Sequence, residues 1–96
     1  MTPVRYHPDA VSELNEARQW YRGRSEVVAQ AFILELSRSI DEISLSPETW
    51  PKVHDQLRRY RLPRFPYSIV YRIEHGTVFV TAIAHQRRRF GYWKDR

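Results

Sequence analysis

Apolar residues in the first half of the chain recur with the period of an α-helix. Between Pro8 and about Arg22 they stand three or four positions apart, at Ala10, Leu14, Ala17 and Tyr21. Residues with this spacing share one face of a helix. Pro8 suits the first turn, and Gly23 suits the position just past the end. The pattern therefore predicts an amphipathic helix over residues 8–22, with Trp20 widening its apolar side.

A second helical stripe follows after a very short break. Its apolar positions are Phe32, Leu36, Ile40 and Ile43, flanked by Ala29 and Ile33. Ser25 is a favourable N-cap, because its hydroxyl can accept a hydrogen bond from a free backbone N–H. The helix should end before Pro47, which lies in a proline-containing loop over residues 46–51. Two helices joined by so short a turn form a helical hairpin.

Alternating apolar and polar residues predict four strands, one before the helices and three after them. The first covers residues 4–7, and the others cover residues 57–62, 67–74 and 77–85. Pro63 and Pro66 interrupt the chain between the second and third strands, since proline cannot sit inside a central ladder. His75 and Gly76 form a two-residue hairpin loop between the last two strands.

The order of these elements, β-α-α-β-β-β, predicts an α+β fold. A helical hairpin packed on one face of a mostly antiparallel four-stranded sheet would bury both helical stripes. Tyr60 and Leu62 of the second strand share one face, and Arg59 and Arg61 lie on the other. The length of 96 residues favours one domain spanning residues 1–96.

Composition excludes several classes of protein. The chain has no cysteine, which rules out disulfides, thiolate metal sites and a cysteine nucleophile. No apolar run approaches the roughly 18 residues of a membrane span. Residues 1–8 lack the apolar core of a signal peptide. We therefore expect a cytoplasmic protein that does not associate with a membrane.

Charge is distributed unevenly along the chain. Residues 1–56 carry 6 Lys and Arg against 9 Asp and Glu, a net charge of −3. Residues 57–96 carry 10 Lys and Arg against 2 Asp and Glu, a net charge of +8. Such asymmetry favours an anionic partner, either nucleic acid or an acidic protein. A basic face that serves only solubility is the plainer alternative.

No motif points to a cofactor. The three glycines form no phosphate-binding loop. The four histidines, His7, His54, His75 and His85, do not have the spacing of metal ligands. We therefore expect neither a metal nor another cofactor.

Basic and aromatic side chains concentrate on the second predicted strand and in the segment after the last one. Arginine binds phosphate through two hydrogen bonds and stacks on bases, and aromatic rings stack on unpaired bases. The candidate residues for binding a target or nucleic acid are Arg59, Arg61, Arg64, Arg87, Arg88, Arg89 and Trp93.

Metal-free RNA cleavage is one activity that such a surface would allow. His85 is the nearby side chain suited to proton transfer at neutral pH. Arg61, Arg87 and Arg88 would neutralise charge on the phosphate, and Tyr92 would orient the substrate or donate a proton. The plainer interpretation makes His85 an ordinary strand-end histidine, and Tyr92 with Trp93 an anchor for the tail.

Four other residues also have plain interpretations. Glu13 and Glu16 are expected on the solvated face of the first helix. Trp20 and Trp50 are expected to lie in the core or to cover it, as aromatic residues on helix faces and in loops usually do.

Several motifs resemble those of the RelE/ParE toxin superfamily. Besides the element order, they are His7-Pro8-Asp9-Ala10, the segment Arg64–Tyr71, the segment Ala82–Arg88, and Gly91-Tyr92-Trp93. The likeness covers essentially the whole chain. It implies the toxin of a type II toxin–antitoxin module, held in a hetero-oligomer and neutralised by a cognate antitoxin encoded beside it.

The resemblance implies one of two molecular targets. ParE-like members inhibit DNA gyrase and are not nucleases. RelE-like members cleave mRNA in the ribosomal A site, using basic residues on two strands, an arginine after the last strand and a tail tyrosine. The matching positions here are Arg59, Arg61, Arg87 and the tail aromatic Tyr92 or Trp93. Ser68 stands where the RelE-like pattern has a catalytic arginine, so the motifs favour the ParE-like side.

Three functions are therefore to be weighed. The first is an inhibitory protein that acts on DNA gyrase and needs a binding surface only. The second is a metal-free, ribosome-dependent mRNA endonuclease, and the third is an inactive relative that only binds its antitoxin. Mutation of His85 separates the first two, because only the nuclease needs a group that transfers protons.

Overall fold

A computed structural model describes all 96 residues, Met1–Arg96. The elements are β1 (Val4–Tyr6), α1 (Pro8–Arg22), α2 (Glu26–Leu45), β2 (Lys52–His54), β3 (Leu57–Arg61), β4 (Tyr67–Glu74) and β5 (Thr77–His85). The strands form one sheet in the order β1-β5-β4-β3-β2. β1 is parallel to β5, and the other pairs are antiparallel. The predicted α+β class, with a helical hairpin on a mostly antiparallel sheet, is confirmed.

Short-range hydrogen bonds explain where the helices begin. His7 is the N-cap of α1, and its Nδ1 accepts a hydrogen bond of 3.0 Å from the backbone N–H of Asp9. Ser25 is the N-cap of α2, and its hydroxyl oxygen accepts one of 3.3 Å from the backbone N–H of Val28. Each cap satisfies a donor that the helix itself leaves free.

The sheet has five strands, so the prediction of four was wrong. The additional strand, β2, has only three residues, and Val53 is its single apolar one. It pairs with β3 through an irregular register. Three residues are too few to establish an alternating pattern, so the sequence did not predict β2. Its position in the sheet is set by pairing with β3.

The predicted hairpin between β4 and β5 is present. His75 and Gly76 both have positive φ angles, 49° and 72°. This conformation matches the two-residue turn that joins twisted antiparallel strands. It sets the register from Glu74 opposite Thr77 to Tyr71 opposite Val80. A bulge at Thr81 then shifts the pairing by one residue, so that Tyr67 lies opposite His85 at the far end of the hairpin.

The main core lies between the helices and one face of the sheet. Its members include the predicted stripe residues Ala10, Ala17, Phe32, Leu36 and Ile43, together with Tyr60, Leu62, Ile69, Tyr71, Val78, Val80 and Ile83. Burial of both stripes against the sheet stabilises the hairpin, since a helix gains most of its stability from packing. Trp50 packs on this core as expected. Trp20 does not, because its side chain is 52% exposed and carries Arg24 over its ring.

A second, smaller core lies on the opposite face of the sheet. Leu57, Val70, Ala82 and Ala84 are covered there by Trp93, which is 2% exposed. The tail after β5 therefore folds back across the sheet and is held by a buried indole. Neither helix has the length and hydrophobicity needed to cross a bilayer.

Candidate functional site

Strand pairing brings basic residues together on the face of the sheet opposite the helices. Arg61 pairs with Ser68 on β4, and Ser68 pairs with Ala84 on β5. The backbone N–H of Gln86 donates a hydrogen bond of 2.8 Å to the carbonyl of Pro66. This bond fixes the start of the tail, and with it Arg87, beside the loop that follows β3.

Two adjoining hollows result from this arrangement. The larger, about 700 Å³, has Arg59, Arg61, Arg64 and Arg87 among its lining residues. The smaller, about 140 Å³, adds Arg88, Arg89 and Phe90. The two share Arg59, Ser68 and Gln86, and no carboxylate lines either of them. Together they form a continuous cationic surface.

The arginines at these hollows differ in their partners. Arg64 is bound to the buried carboxylate of Glu35, which accepts 2.8 Å and 2.9 Å hydrogen bonds from its Nε and its backbone N–H. Arg88 lies over the ring of Tyr92, 3.9 Å from the centroid. Besides Arg88, the guanidinium groups at these hollows that form no hydrogen bond and no ion pair within the chain belong to Arg59, Arg61, Arg87 and Arg89. These four residues are called the arginine strip below.

The aromatic side chain beside the strip is Phe90. Its ring is 59% exposed, and the guanidinium of Arg59 lies 5.5 Å from the ring centroid. Trp93, a predicted binding residue, is instead buried behind Phe90, with ring centroids 5.4 Å apart. Trp93 therefore presents no free face for stacking, and Phe90 does.

His85 is bound to the backbone of the tail. Its Nδ1 accepts a hydrogen bond of 3.0 Å from the backbone N–H of Arg87. An accepting Nδ1 places the proton of the neutral ring on Nε2. The ring also packs edge-on against Tyr67, at 4.9 Å between centroids. In this arrangement His85 has no free lone pair with which to take a proton from a substrate.

Tyr92 is also bound within the protein. Its hydroxyl donates a hydrogen bond of 2.7 Å to Glu13. Burial, together with the hydrogen bond and the charge of Glu13, raises the pKa of the Tyr92 phenol well above its usual value. A phenol in this setting gives up its proton with difficulty.

Glu13 is not on a solvated face, so that expectation was wrong. Its side chain is only 11% exposed. Besides Tyr92, its carboxylate accepts hydrogen bonds from both terminal nitrogens of Arg96, at 2.9 Å and 3.0 Å, and one of 3.0 Å from the backbone N–H of Ile83. The expectation holds for Glu16, which is exposed.

This cluster closes the free edge of β5. β1 pairs with β5 only at Val78–Val80. On that side of β5, opposite β4, the next residues therefore have no neighbouring strand. Glu13 binds the N–H of Ile83, and Arg96 donates a hydrogen bond of 3.1 Å to the carbonyl of Thr81. Two side chains thus satisfy backbone groups that would otherwise be exposed at the edge.

The four candidate catalytic residues do not converge on one cavity. Arg61 and Arg87 line the larger hollow. His85 and Tyr92 line the smaller hollow together with Arg59, and they also line a third hollow, of about 460 Å³, between α1 and the end of β5. No three His, Asp or Glu side chains are grouped so that they could hold a metal ion.

Residues 4–90 match the family profile described as the ParE toxin of the type II toxin–antitoxin system parDE. No curated protein sequence matched the chain.

Solved structures share the fold at low sequence identity. The chromosomal ParDE toxin–antitoxin system from P. aeruginosa superposes with a TM-score of 0.78 at 15% identity, over 88% of this chain and 96% of that one. Isolated E. coli RelE toxin superposes with a TM-score of 0.63 at 17% identity, over 99% of this chain and 95% of that one. An arginine-to-alanine variant of E. coli RelE bound to a RelBc antitoxin peptide gives 0.60 at 16% identity, over 99% and 94%.

The profile spans nearly the whole chain, from β1 to the exposed ring of Phe90. The solved structures share the fold over 88% to 99% of the chain. The chain belongs to the ParE toxin family, the toxins of parDE-type type II toxin–antitoxin systems.

Proposed function

We propose that this toxin stops growth by binding DNA gyrase, without catalysing a reaction, and that a cognate antitoxin neutralises it. The ParE-type sequence supports this target, since ParE-like toxins are the gyrase inhibitors of the superfamily. The arginine strip supplies the contact surface. Unpaired guanidinium groups on a face without carboxylates suit a strongly anionic target complex.

The observation that carries the proposal is the state of His85. A general base must present an unprotonated nitrogen to its substrate. The only nitrogen of His85 that lacks a partner is Nε2, which carries the proton while Nδ1 accepts from the backbone of Arg87. The residue best suited to proton transfer by its chemistry is therefore not arranged to act as a base.

Two further features support binding over cleavage. Ser68 occupies the middle of the cationic face and supplies no positive charge there. The hydroxyl of Tyr92 donates a hydrogen bond to Glu13, and Arg88 covers its ring. A metal-free nuclease needs a base, an acid and cations around one phosphate, whereas Arg61 and Arg87 line one hollow and His85 and Tyr92 line its neighbours.

The antitoxin is expected to be acidic where it meets the toxin. The half of the chain from residue 57 onward carries a net charge of +8. An acidic segment would therefore be attracted to the same face as the target and would exclude it by competition. The P. aeruginosa ParDE system and the RelE complex with a RelBc peptide, which share this fold, support an antitoxin as the partner.

The two targets can be separated with purified protein. We would measure inhibition of DNA supercoiling by gyrase, and cleavage of mRNA in a translating extract, over the same range of toxin concentrations. The proposal predicts inhibited supercoiling and intact mRNA. Cleavage within translated codons, with supercoiling unaffected, would replace it with the ribosome-dependent endonuclease. Activity in neither assay would leave an inactive relative that only binds its antitoxin.

A further inference from the structure

The surface around the arginine strip combines cations with one exposed aromatic ring. We propose that the strip and Phe90 bind a single-stranded segment of nucleic acid, with its phosphates on the arginines and one base on the ring of Phe90. The biological setting rests on the proposed function, in which the strand belongs to the DNA complex of the target. The binding site itself rests only on the geometry of this face.

The spacing along β3 matches one nucleic-acid strand. Arg59 and Arg61 are two residues apart on the same face, which places their Cα atoms about 7 Å apart. Successive phosphates along a single strand have a similar separation. The two guanidinium groups can therefore contact neighbouring phosphates of one strand.

The strip continues across the sheet into the tail. Arg87 lines the larger hollow with Arg59 and Arg61, and Arg89 lines the smaller one with Arg59. Ser68 and Gln86 contribute to both hollows. Their hydroxyl and amide groups can form hydrogen bonds to phosphate oxygens or to bases. A strand laid across both hollows would thus meet donors along its whole contact.

The absence of carboxylates at this surface is a second argument. The other arginines of the C-terminal half are occupied: Arg58 by the carbonyls of Glu48 and Trp50, Arg64 by Glu35, Arg72 by Glu74, and Arg96 by Glu13. Arg88 lies over the ring of Tyr92, and the four guanidinium groups of the strip have neither a hydrogen bond nor an ion pair within the chain. Four unpaired guanidinium groups on one face form the electrostatic footprint of a phosphate backbone.

Phe90 distinguishes a single strand from other polyanions. Its ring is 59% exposed, and Trp93 packs edge-on against it from the protein side. An unpaired base can stack on such a ring, whereas the bases of a duplex already stack on each other. An acidic protein segment would engage the arginines but offers no planar base to the ring. The geometry therefore favours an unpaired strand.

The test is fluorescence anisotropy with labelled oligonucleotides of about 12 nucleotides, a length that covers typical single-strand sites. Wild-type toxin is titrated with a DNA strand, an RNA strand of the same sequence and a DNA duplex, at several salt concentrations. Arg61→Ala and Arg87→Ala should each weaken single-strand binding about fivefold at 0.1 M salt and reduce the salt slope by about 0.7. Phe90→Ala should weaken it about tenfold with an unchanged slope, and Phe90→Tyr should restore it.

Arg18→Ala is the matched control, because Arg18 carries the same charge and is exposed on the helical hairpin. It should leave the affinity unchanged. Equal losses in Arg18→Ala and Arg61→Ala would overturn the proposal, since binding would then follow net charge alone. Equal affinity for duplex and single strand would also overturn the proposal. So would a Phe90→Ala variant that binds the single strand as tightly as the wild type does.

The outcomes separate this inference from the proposed function. Strip-dependent binding that is tighter for the DNA strand than for the RNA strand, together with inhibited supercoiling, supports both the single-strand site and the proposed function. Strip-dependent binding that is tighter for RNA supports the site but moves the target to the ribosome. Inhibited supercoiling without any oligonucleotide binding overturns the inference alone, and leaves gyrase as a protein-only target.

Discussion

Arginines in two regions of this molecule have opposite roles. At the free edge of β5, Arg96 is only 16% exposed and is bound by the carboxylate of Glu13. On the opposite face of the sheet, Arg61 is exposed and Arg59 half-buried, and neither guanidinium has an internal hydrogen bond or ion pair. The residue type and the formal charge are the same in both places.

The difference shows why a count of charges does not locate a functional surface. A buried guanidinium is desolvated and must be paired, so Arg96 contributes to the fold. An unpaired guanidinium contributes little to stability and retains its capacity to bind an external anion. After residue 56, folding pairs Arg64, Arg72 and Arg96 with carboxylates and leaves the arginine strip unpaired.

The largest effect should come from the anchor that fixes the tail between these two regions. Trp93→Ala removes the indole that covers Leu57, Val70 and Ala82. The loss of buried area and the cavity left behind should lower the free energy of unfolding by about 4 kcal/mol. Denaturant unfolding measures this, with Trp93→Phe as a control that should lose much less. A change below about 1 kcal/mol would mean that the tail does not depend on this contact.

The next effect tests whether the β5 edge is structural. Glu13→Ala leaves the guanidinium of Arg96, the hydroxyl of Tyr92 and the N–H of Ile83 without their acceptor. We expect a loss of about 3 kcal/mol, because one charged group and two polar groups remain partly buried and unpaired. Thermal unfolding checks this against Glu16→Ala, one turn further along the same helix and exposed. Equal stability of the two variants would contradict a structural role for Glu13.

Alkaline pH provides a sharper probe of the same cluster. The folded state raises the pKa of Tyr92 above the unfolded value of 10.0, chiefly by burial and then through Glu13. The folded chain therefore keeps this proton longer than the unfolded chain does. The contribution of the protonated Tyr92 phenol to the free energy of unfolding is complete below about pH 10. It is lost as the pH rises further, by at most about 1.4 kcal/mol per pH unit.

Tyr92→Phe isolates this group from the other tyrosines whose pKa is raised. The variant should lose about 1 kcal/mol at neutral pH, because the hydrogen bond to Glu13 is gone. Above about pH 10 its stability should fall less steeply than that of the wild type. Parallel pH profiles would contradict a buried, protonated phenol at this position.

The smallest effect on stability belongs to the strip. Arg61→Ala should change the free energy of unfolding by less than about 0.5 kcal/mol, because its guanidinium has no partner to lose. Arg64→Ala is the matched comparison from the same hollow, and should cost about 2 kcal/mol because it leaves the buried Glu35 without its cation. Chemical denaturation of the two variants side by side tests the contrast. Similar losses would remove the distinction between paired and unpaired arginines.

Local patterns were sufficient to predict most of the elements. The stripes at Ala10–Tyr21 and Phe32–Ile43, the N-cap at Ser25 and the hairpin at His75 all depend on residues close together in the sequence. β2 was not predictable, because three residues carry no measurable alternation. The order and the register of the strands came only from the structure.

The site was predictable in composition and not in detail. Sequence placed Arg59, Arg61 and Arg87 among the binding candidates. Whether an arginine is free depends on partners distant in the chain, and Glu13 and Arg96 are 83 positions apart. The plainer interpretation of Trp93, an anchor for the tail, agrees with its burial in the second core, whereas no local signal marks Glu13 as buried or Phe90 as the exposed ring. Each of these follows from the way the tail folds back over the second face of the sheet.

The most direct test of the central claim, that toxicity comes from binding through the strip and not from catalysis by His85, is a growth assay with two variants. His85→Asn keeps an acceptor for the N–H of Arg87 and removes the imidazole. The combined Arg59→Ala, Arg61→Ala and Arg87→Ala variant removes three cations of the strip. After induction in a bacterial host without the antitoxin, His85→Asn should arrest growth like the wild type, and the triple variant should not. Continued growth with His85→Asn and arrest with the triple variant, both accumulating as folded protein, would contradict the account.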